Sequence, residues 1–332
     1  MKNRFKYAAL ALSAWLSLAA GVRLQEQRRL PLDTLPADLG HQVPFGLPEE
    51  LGADPASEAL AALGRRLFFD PILSLDRSVS CATCHIPELA FADNEKFSLG
   101  IHGKRTLRNT PTLLNRALGS QFMWDGQATT LEQQALLPIE NPLEMGLALD
   151  RALQRLGQED AYAPAFQAIF QGPPTRERLG KAIAAFVRRL LVGDSRVDRF
   201  RVGNRDVLST AERGGLWFYE SRGGCWRCHS GPNFSDEGFH NTGIGSSLVG
   251  PEPGRQGITG QESDLGGFKT PTLRSLSLTA PYMHDGSLGT LEEVVEFYRQ
   301  GGHPNSHLDA KILPIEMTDA DASNLVAFLK AL

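Results

Sequence analysis

Cys81-Ala82-Thr83-Cys84-His85 and Cys225-Trp226-Arg227-Cys228-His229 use all four cysteines of the chain. In each motif two thiols stand ready for thioether bonds to the vinyl groups of one haem, and the adjacent imidazole is placed to ligate the iron. A structural zinc site would need both cysteine pairs gathered into one tetrahedron, and it leaves both histidines without a role. A dithiol redox motif calls for βαβ patterning around it, and the flanking sequence has none. The residues therefore point to two covalently bound haems c.

The elements that must hold these motifs appear as an internal repeat. Thr110-Pro111-Thr112-Leu113, Asp125-Gly126 and Thr130-Leu131-Glu132 recur as Thr270-Pro271-Thr272-Leu273, Asp285-Gly286 and Thr290-Leu291-Glu292, every pair 160 residues apart. The haem motifs themselves are offset by 144, because the second copy carries a longer Gly-rich loop, Gly238 to Gly267. That loop reads as a mobile surface excursion. Apolar periodicity predicts helices from Pro55 to Phe69 and from Thr175 to Val192 around the first motif. Around the second, Ser209 and Glu212 form a capping box that opens a helix toward Cys225, and Thr318 opens the last helix. The fold class expected is all-α: two tandem cytochrome c-type haem domains with extensive irregular loops, residues 30–194 and 202–332.

Lys2, Arg4 and Lys6 precede a predominantly apolar run of sixteen residues, Tyr7 to Val22, and a polar stretch follows. This is the layout of a secretory signal over residues 1–24, which implies an exported, periplasmic protein. An uncleaved N-terminal anchor is the other reading of the same run, and no other segment could cross a bilayer. A net charge of −4 gives no basic footprint for nucleic acid.

The second copy is not chemically equivalent to the first. A capping box at Thr290 and Glu293 starts a helix on which Leu291, Val294, Val295 and Tyr298 share one face, so Tyr298 points inward. Subtracting 160 places Pro138 at the matching position, and proline cannot bind iron. A phenolate can bind ferric haem. The second haem would then have His229 and Tyr298, while the first keeps a vacant position opposite His85. A core aromatic is the alternative role for Tyr298, with Met283 as the competing donor.

Nearly the whole mature chain resembles the bacterial di-haem cytochrome c peroxidase family, including its MauG-type methylamine-utilisation branch. The resemblance lies in both haem motifs, Arg108-Asn109-Thr110-Pro111-Thr112, Trp124-Asp125-Gly126, Glu140 to Met145, Pro281 to Gly286, and Leu291 to Tyr298. It implies one haem that meets hydrogen peroxide and one that relays electrons. It supports Tyr298 as a ligand, since a methionine occupies this position in classical members and a tyrosine in the MauG-type branch. It places Glu144 near the open haem as the acid–base group, and Trp124 between the haems as an electron relay or an interface core residue. His102 lies one residue off the register of a loop histidine that ligates the first haem in resting classical members; a solvated loop histidine is the equal alternative. A calcium ion at the domain interface is implied too, with Asn109 matching its side-chain ligand and Thr279 and Pro281 its backbone carbonyl donors.

The expected function is reduction of hydrogen peroxide with electrons from a small donor protein, a c-type cytochrome or cupredoxin. The alternatives are a MauG-type enzyme that stores oxidising equivalents on its haems and spends them on a protein side chain, and a plain electron-transfer di-haem cytochrome.

Overall fold

The computed structural model describes residues 43–53, 58–247 and 250–332. The N-terminal segment read as a signal or anchor lies outside the described residues, as does the start of the first helix at Pro55. Among the described residues, no helix is long and apolar enough to cross a membrane. Helix predominates. Sheet is limited there to two antiparallel pairings, Phe239–His240 with Phe268–Lys269 and Ser246–Ser247 with Gly250–Pro251.

Each haem motif follows a helix that is crossed by another from much later in the chain. Before the first motif, Glu58–Phe69 buries Leu63, Leu67 and Phe68 and packs on Arg176–Arg188, which buries Leu179, Ile183 and Phe186. Before the second, Thr210–Glu220 packs in the same way on Asp319–Leu329. Both crossings use one device. Gly64 lies so close to the Ala182 carbonyl, and Gly215 to the Asn324 carbonyl, that neither position has room for a Cβ. An aromatic pair fills the space beside each glycine: Phe68 and Phe186 with ring centres 5.1 Å apart, Tyr219 and Phe328 with 4.9 Å. Each fully buried Leu or Phe is worth about 1.5–3 kcal/mol relative to exposure, so these crossings anchor the motifs to rigid elements.

The sequence repeat is also a repeat of backbone conformation. Asn115 and Ser275 are both left-handed, with φ of 57° and 56°, and both open single 3-10 turns, Arg116–Leu118 and Leu276–Leu278. Met123 and Met283 repeat the same conformation at φ 69° and 72°. The bridges Phe122 to Ala128 and Tyr282 to Leu288 match as well.

The caps expected at Ser209, Thr290 and Thr318 are all formed, each as a reciprocal capping box. The helix opened by Thr175 ends at Arg188 instead of reaching Val192. Asn115 captures the remaining strand of chain: its amide N–H donates to the Leu190 carbonyl, and its side chain bonds both the N–H and the carbonyl of Val192 at 2.8 and 2.9 Å. The loop from Gly238 to Gly267 is not a free surface excursion. Glu252 accepts from Arg108 at 2.8 Å, and Arg255 donates to the carbonyls of Asp125 and Gly126 at 3.0 and 2.9 Å. Residues 194–202, read as a boundary, contain a helix, Arg196–Arg201, whose buried Asp198 takes a two-pronged ion pair from buried Arg274 at 2.7 and 3.0 Å.

Candidate functional site: two cysteine–histidine motifs and the residues between them

Ser80 caps a single helical turn, Cys81–Cys84, and His85 closes it. The His85 ring then turns so that Nδ1 lies 2.8 Å from the Phe91 carbonyl. A carbonyl only accepts, so Nδ1 carries the proton and Nε2 keeps its lone pair for a metal. Burial pushes the imidazole down to about 4, which keeps it neutral. The carbonyl is held in place by left-handed residues at Ala90 and Phe91 and by Thr112, whose hydroxyl donates to the Ala90 carbonyl at 2.5 Å. The second motif repeats the arrangement. His229 Nδ1 lies 3.0 Å from the Phe234 carbonyl, Thr272 donates to the Asn233 carbonyl at 2.7 Å, and burial lowers the His229 imidazole.

Burial disfavours the thiolate at three of the four cysteines. Burial pushes Cys81 and Cys84 up to about 12 and Cys225 up to about 11. Among the described residues, no cluster joins the two cysteine pairs, which removes the zinc tetrahedron. A cavity of about 390 Å³ opens beside His229, Tyr219 and Trp226. Neutral imidazoles with Nε2 uncommitted, together with thiol pairs one turn apart, fit two haems c.

Glu144 lies at the first motif, where its charge acts on both Cys81 and Cys84. Its backbone is fixed by Asn141, and its carbonyl accepts the Ile101 N–H at 2.8 Å. Burial raises the carboxyl, and the Asn141 side-chain amide, donating to Glu144 Oε1 at 2.6 Å, opposes part of that rise. Pro138 is in the same neighbourhood, its carbonyl accepting the Met145 N–H at 3.2 Å. His102 follows Ile101 with φ of 56°. Its ring is directed to the surface, more than half exposed, with Nδ1 3.5 Å from Asp76.

Tyr298 lies near the second motif. Burial raises its phenol, and Cys228 and Cys225 add to the rise. The helix that carries it is continuous from Leu291 to Arg299. The matching stretch of the first copy breaks into Leu131–Gln134 and Leu137–Glu140, with Pro138 in the first turn of the second piece. Proline supplies no N–H and its ring crowds the preceding turn, so the helix cannot run through. Met283 has its counterpart in Met123, so it cannot make the two copies differ.

Trp124 is bonded to segments from both repeats. Its indole N–H donates to the Asn109 carbonyl at 2.8 Å, and its own carbonyl accepts the Lys269 N–H at 2.8 Å. The indole meets the buried His284 ring edge-on at 6.4 Å. His284 in turn stacks on Phe268 and lies 3.3 Å from Glu252, and Arg108 bridges Glu252 to Asp125. Sequence reasoning did not single out His284, Phe268 or Glu252. His284 sits inside the Pro281–Gly286 motif, which was the available signal; Glu252 sits in the loop read as an excursion.

Asn109 donates from its side chain to the Glu95 carbonyl at 2.9 Å and from its backbone to the His284 carbonyl at 2.8 Å. Thr279 and Pro281 flank Ala280, whose peptide bond to Pro281 is cis. The Thr279 hydroxyl donates to the Leu276 carbonyl at 3.2 Å.

These features define a protein with two c-type haem sites of unequal surroundings. The chain belongs to the di-haem cytochrome c peroxidase family, whose model matches residues 58–206. It is 38% identical over 284 residues to the methylamine utilization protein MauG of Methylorubrum extorquens, covering 84% of this chain and 80% of that one. It is 34% identical over 281 residues to the cytochrome c551 peroxidase of Nitrosomonas europaea, covering 84% of this chain and 81% of that one. Among solved structures, it resembles a MauG-like protein associated with microbial copper homeostasis, with a TM-score of 0.77, 33% identity and coverage of 90% of this chain and 95% of that chain.

Proposed function

We propose that this chain is an exported di-haem peroxidase that reduces hydrogen peroxide to water at the His85 site, with electrons delivered through the His229 site by a small redox protein. The overall reaction takes one peroxide, two electrons and two protons to two waters. The haems, when bound, supply the redox chemistry. The chain supplies their ligands, the proton carrier and the medium between them. The observation that carries this reading is the contrast between Tyr298 and Pro138 at matching places in the two copies: it provides a ligand at the second site and none at the first. A plain electron carrier needs both sites closed, and the same contrast argues against it.

His85 and His229 would hold the irons through Nε2, with Cys81, Cys84, Cys225 and Cys228 as covalent tethers. Glu144 takes the proton from one peroxide oxygen and returns it to the other, a task suited to a carboxyl raised by burial. Trp124, bonded on both sides, carries electrons between the sites. Domains over 30–194 and 202–332 follow from the repeated motif, turn and helix crossing. An exported, periplasmic location follows from the N-terminal signal pattern. A calcium ion held by Asn109 and the carbonyls of Thr279 and Pro281 completes the set.

A second reading, oxidation of a protein side chain, has one specific observation in its favour: Tyr298 in place of methionine, which favours oxidised states of the second haem. Steady-state turnover of peroxide with a reduced small cytochrome separates the two. Sustained, saturable oxidation of the cytochrome supports the peroxidase; a single stoichiometric oxidation without turnover supports the second reading.

A further inference from the structure

The two haem motifs differ in what covers them. Part of the first copy, including helices Leu149–Gln158 and Ala163–Phe170, returns over the stretch that leads into Cys81. Arg155 donates to the carbonyls of Ile72 and Ser74, the Tyr162 hydroxyl donates to Asp70, and Arg77 pairs with Glu159. Arg66, on the helix before the motif, donates to the Ala161 carbonyl and lies over the Tyr162 ring. Counting from the crossing glycines Gly64 and Gly215, the counterpart of Arg66 is Trp217. That residue is 57% exposed.

The second motif has no such cover among the described residues, and its chemistry is that of a contact surface. Trp226, between the two cysteines, is 48% exposed, whereas Ala82 takes the corresponding place at the first motif. Arg222 lies over the Trp217 ring at 5.4 Å, and Arg213 shares the exposed face of Trp217 one helical turn earlier. Arg227 makes no ion pair among the described residues, and Arg222 pairs with both carboxylate oxygens of Asp321 at 3.4 and 3.5 Å. Between Arg196 and Arg227 the sequence carries seven arginines and four carboxylates, in a chain whose net charge is −4. Two of those carboxylates, Asp198 and Glu212, are buried. Exposed Trp and Arg together are the residue types enriched where proteins bind one another.

We propose that Trp217, Trp226, Arg213, Arg222 and Arg227 form the docking surface for the electron donor, a small redox protein with an acidic face around its own redox centre. The proposal rests on the peroxidase reading above and names the partner of its second site. Cys225 and Cys228, which flank Trp226 in the chain, would tether the second haem, so a donor seated here would have a short path to it. Each encounter oxidises the donor by one electron, and two encounters supply the two electrons that one peroxide consumes. The positive surface steers an acidic donor, and the bare indoles give a desolvated centre.

The test uses the full haem-loaded protein, hydrogen peroxide and three reductants: an acidic small c-type cytochrome, a basic one, and a small organic reductant. The acidic cytochrome should be the better donor, with a KM that rises steeply with salt. Arg213→Glu/Arg222→Glu should raise that KM about tenfold and flatten its salt dependence, with kcat and turnover of the organic reductant unchanged; Trp217→Ser should raise KM without altering the salt slope. Calorimetric binding of the acidic cytochrome should weaken in parallel. Preference for the basic cytochrome, or unchanged KM and binding in the charge-reversed variant, overturns the proposal. Absence of turnover with every reductant instead overturns the peroxidase reading, and the binding measurement then still decides the docking surface.

Discussion

Pro138 and Tyr298 stand 160 residues apart at matching points of two repeats, and they give those repeats opposite outcomes. At Tyr298 the helix from Leu291 to Arg299 is unbroken, and the phenol it carries is raised by burial and by Cys228 and Cys225. At Pro138 the helix breaks, and its carbonyl turns to hold Met145 beside Glu144. One difference of residue type thus leaves a phenol in one copy and, in the other, a broken helix beside Glu144.

Tyr298→Phe removes only an oxygen from a helix that is otherwise held by its capping box and buried Leu291, Val295 and Phe297. The fold should be retained, and the second haem should become able to bind cyanide. Tyr298→Met should raise that haem's potential. A second-haem spectrum unchanged in the Phe variant would assign the ligand to Met283 or another donor.

Glu144→Gln should leave both haem spectra nearly intact and slow the reaction with peroxide by about 100-fold or more. Burial raises this carboxyl, so it holds its proton to a higher pH than an exposed glutamate. It must be charged to accept the first proton. The rate should therefore fall as pH drops through its raised pKa, and the Gln variant should lose that limb. A parent rate that is flat across the acid range would count against the role.

Both haems should stay with the chain through acid–acetone extraction, because two thiols stand one turn apart at each site, placed for thioether bonds. Release of free haem would contradict thioether attachment. Replacing Cys84 or Cys228 should disturb only its own haem.

Arg274→Met strands a buried Asp198 without its ion-pair partner and should cost about 3–5 kcal/mol, read as a lower thermal midpoint. Arg274→Met/Asp198→Asn should recover part of the loss. A midpoint unchanged in the single variant would mean that Ser195, which also bonds Asp198, satisfies the carboxylate alone.

Local patterns made much of this site legible in the sequence. The haem motifs and the capping boxes at Ser209, Thr290 and Thr318 are all decided by residues a few positions apart. What was not legible depends on partners far along the chain. Glu252 finds Arg108 across 144 residues, and Arg255 finds Asp125 across 130, so a Gly-rich loop that reads as mobile is in fact fastened. Asn115 halts a helix more than 70 residues away by bonding Val192. His284 was in view as part of a motif, but its place against Trp124 follows from tertiary contact alone.

An electron paramagnetic resonance spectrum of the ferric protein tests most directly whether Tyr298 closes the second haem while the first stays open opposite His85. One high-spin and one low-spin component in equal amounts, with the low-spin component converted in Tyr298→Phe, is the result this account predicts. Two low-spin components, both indifferent to cyanide, would contradict it.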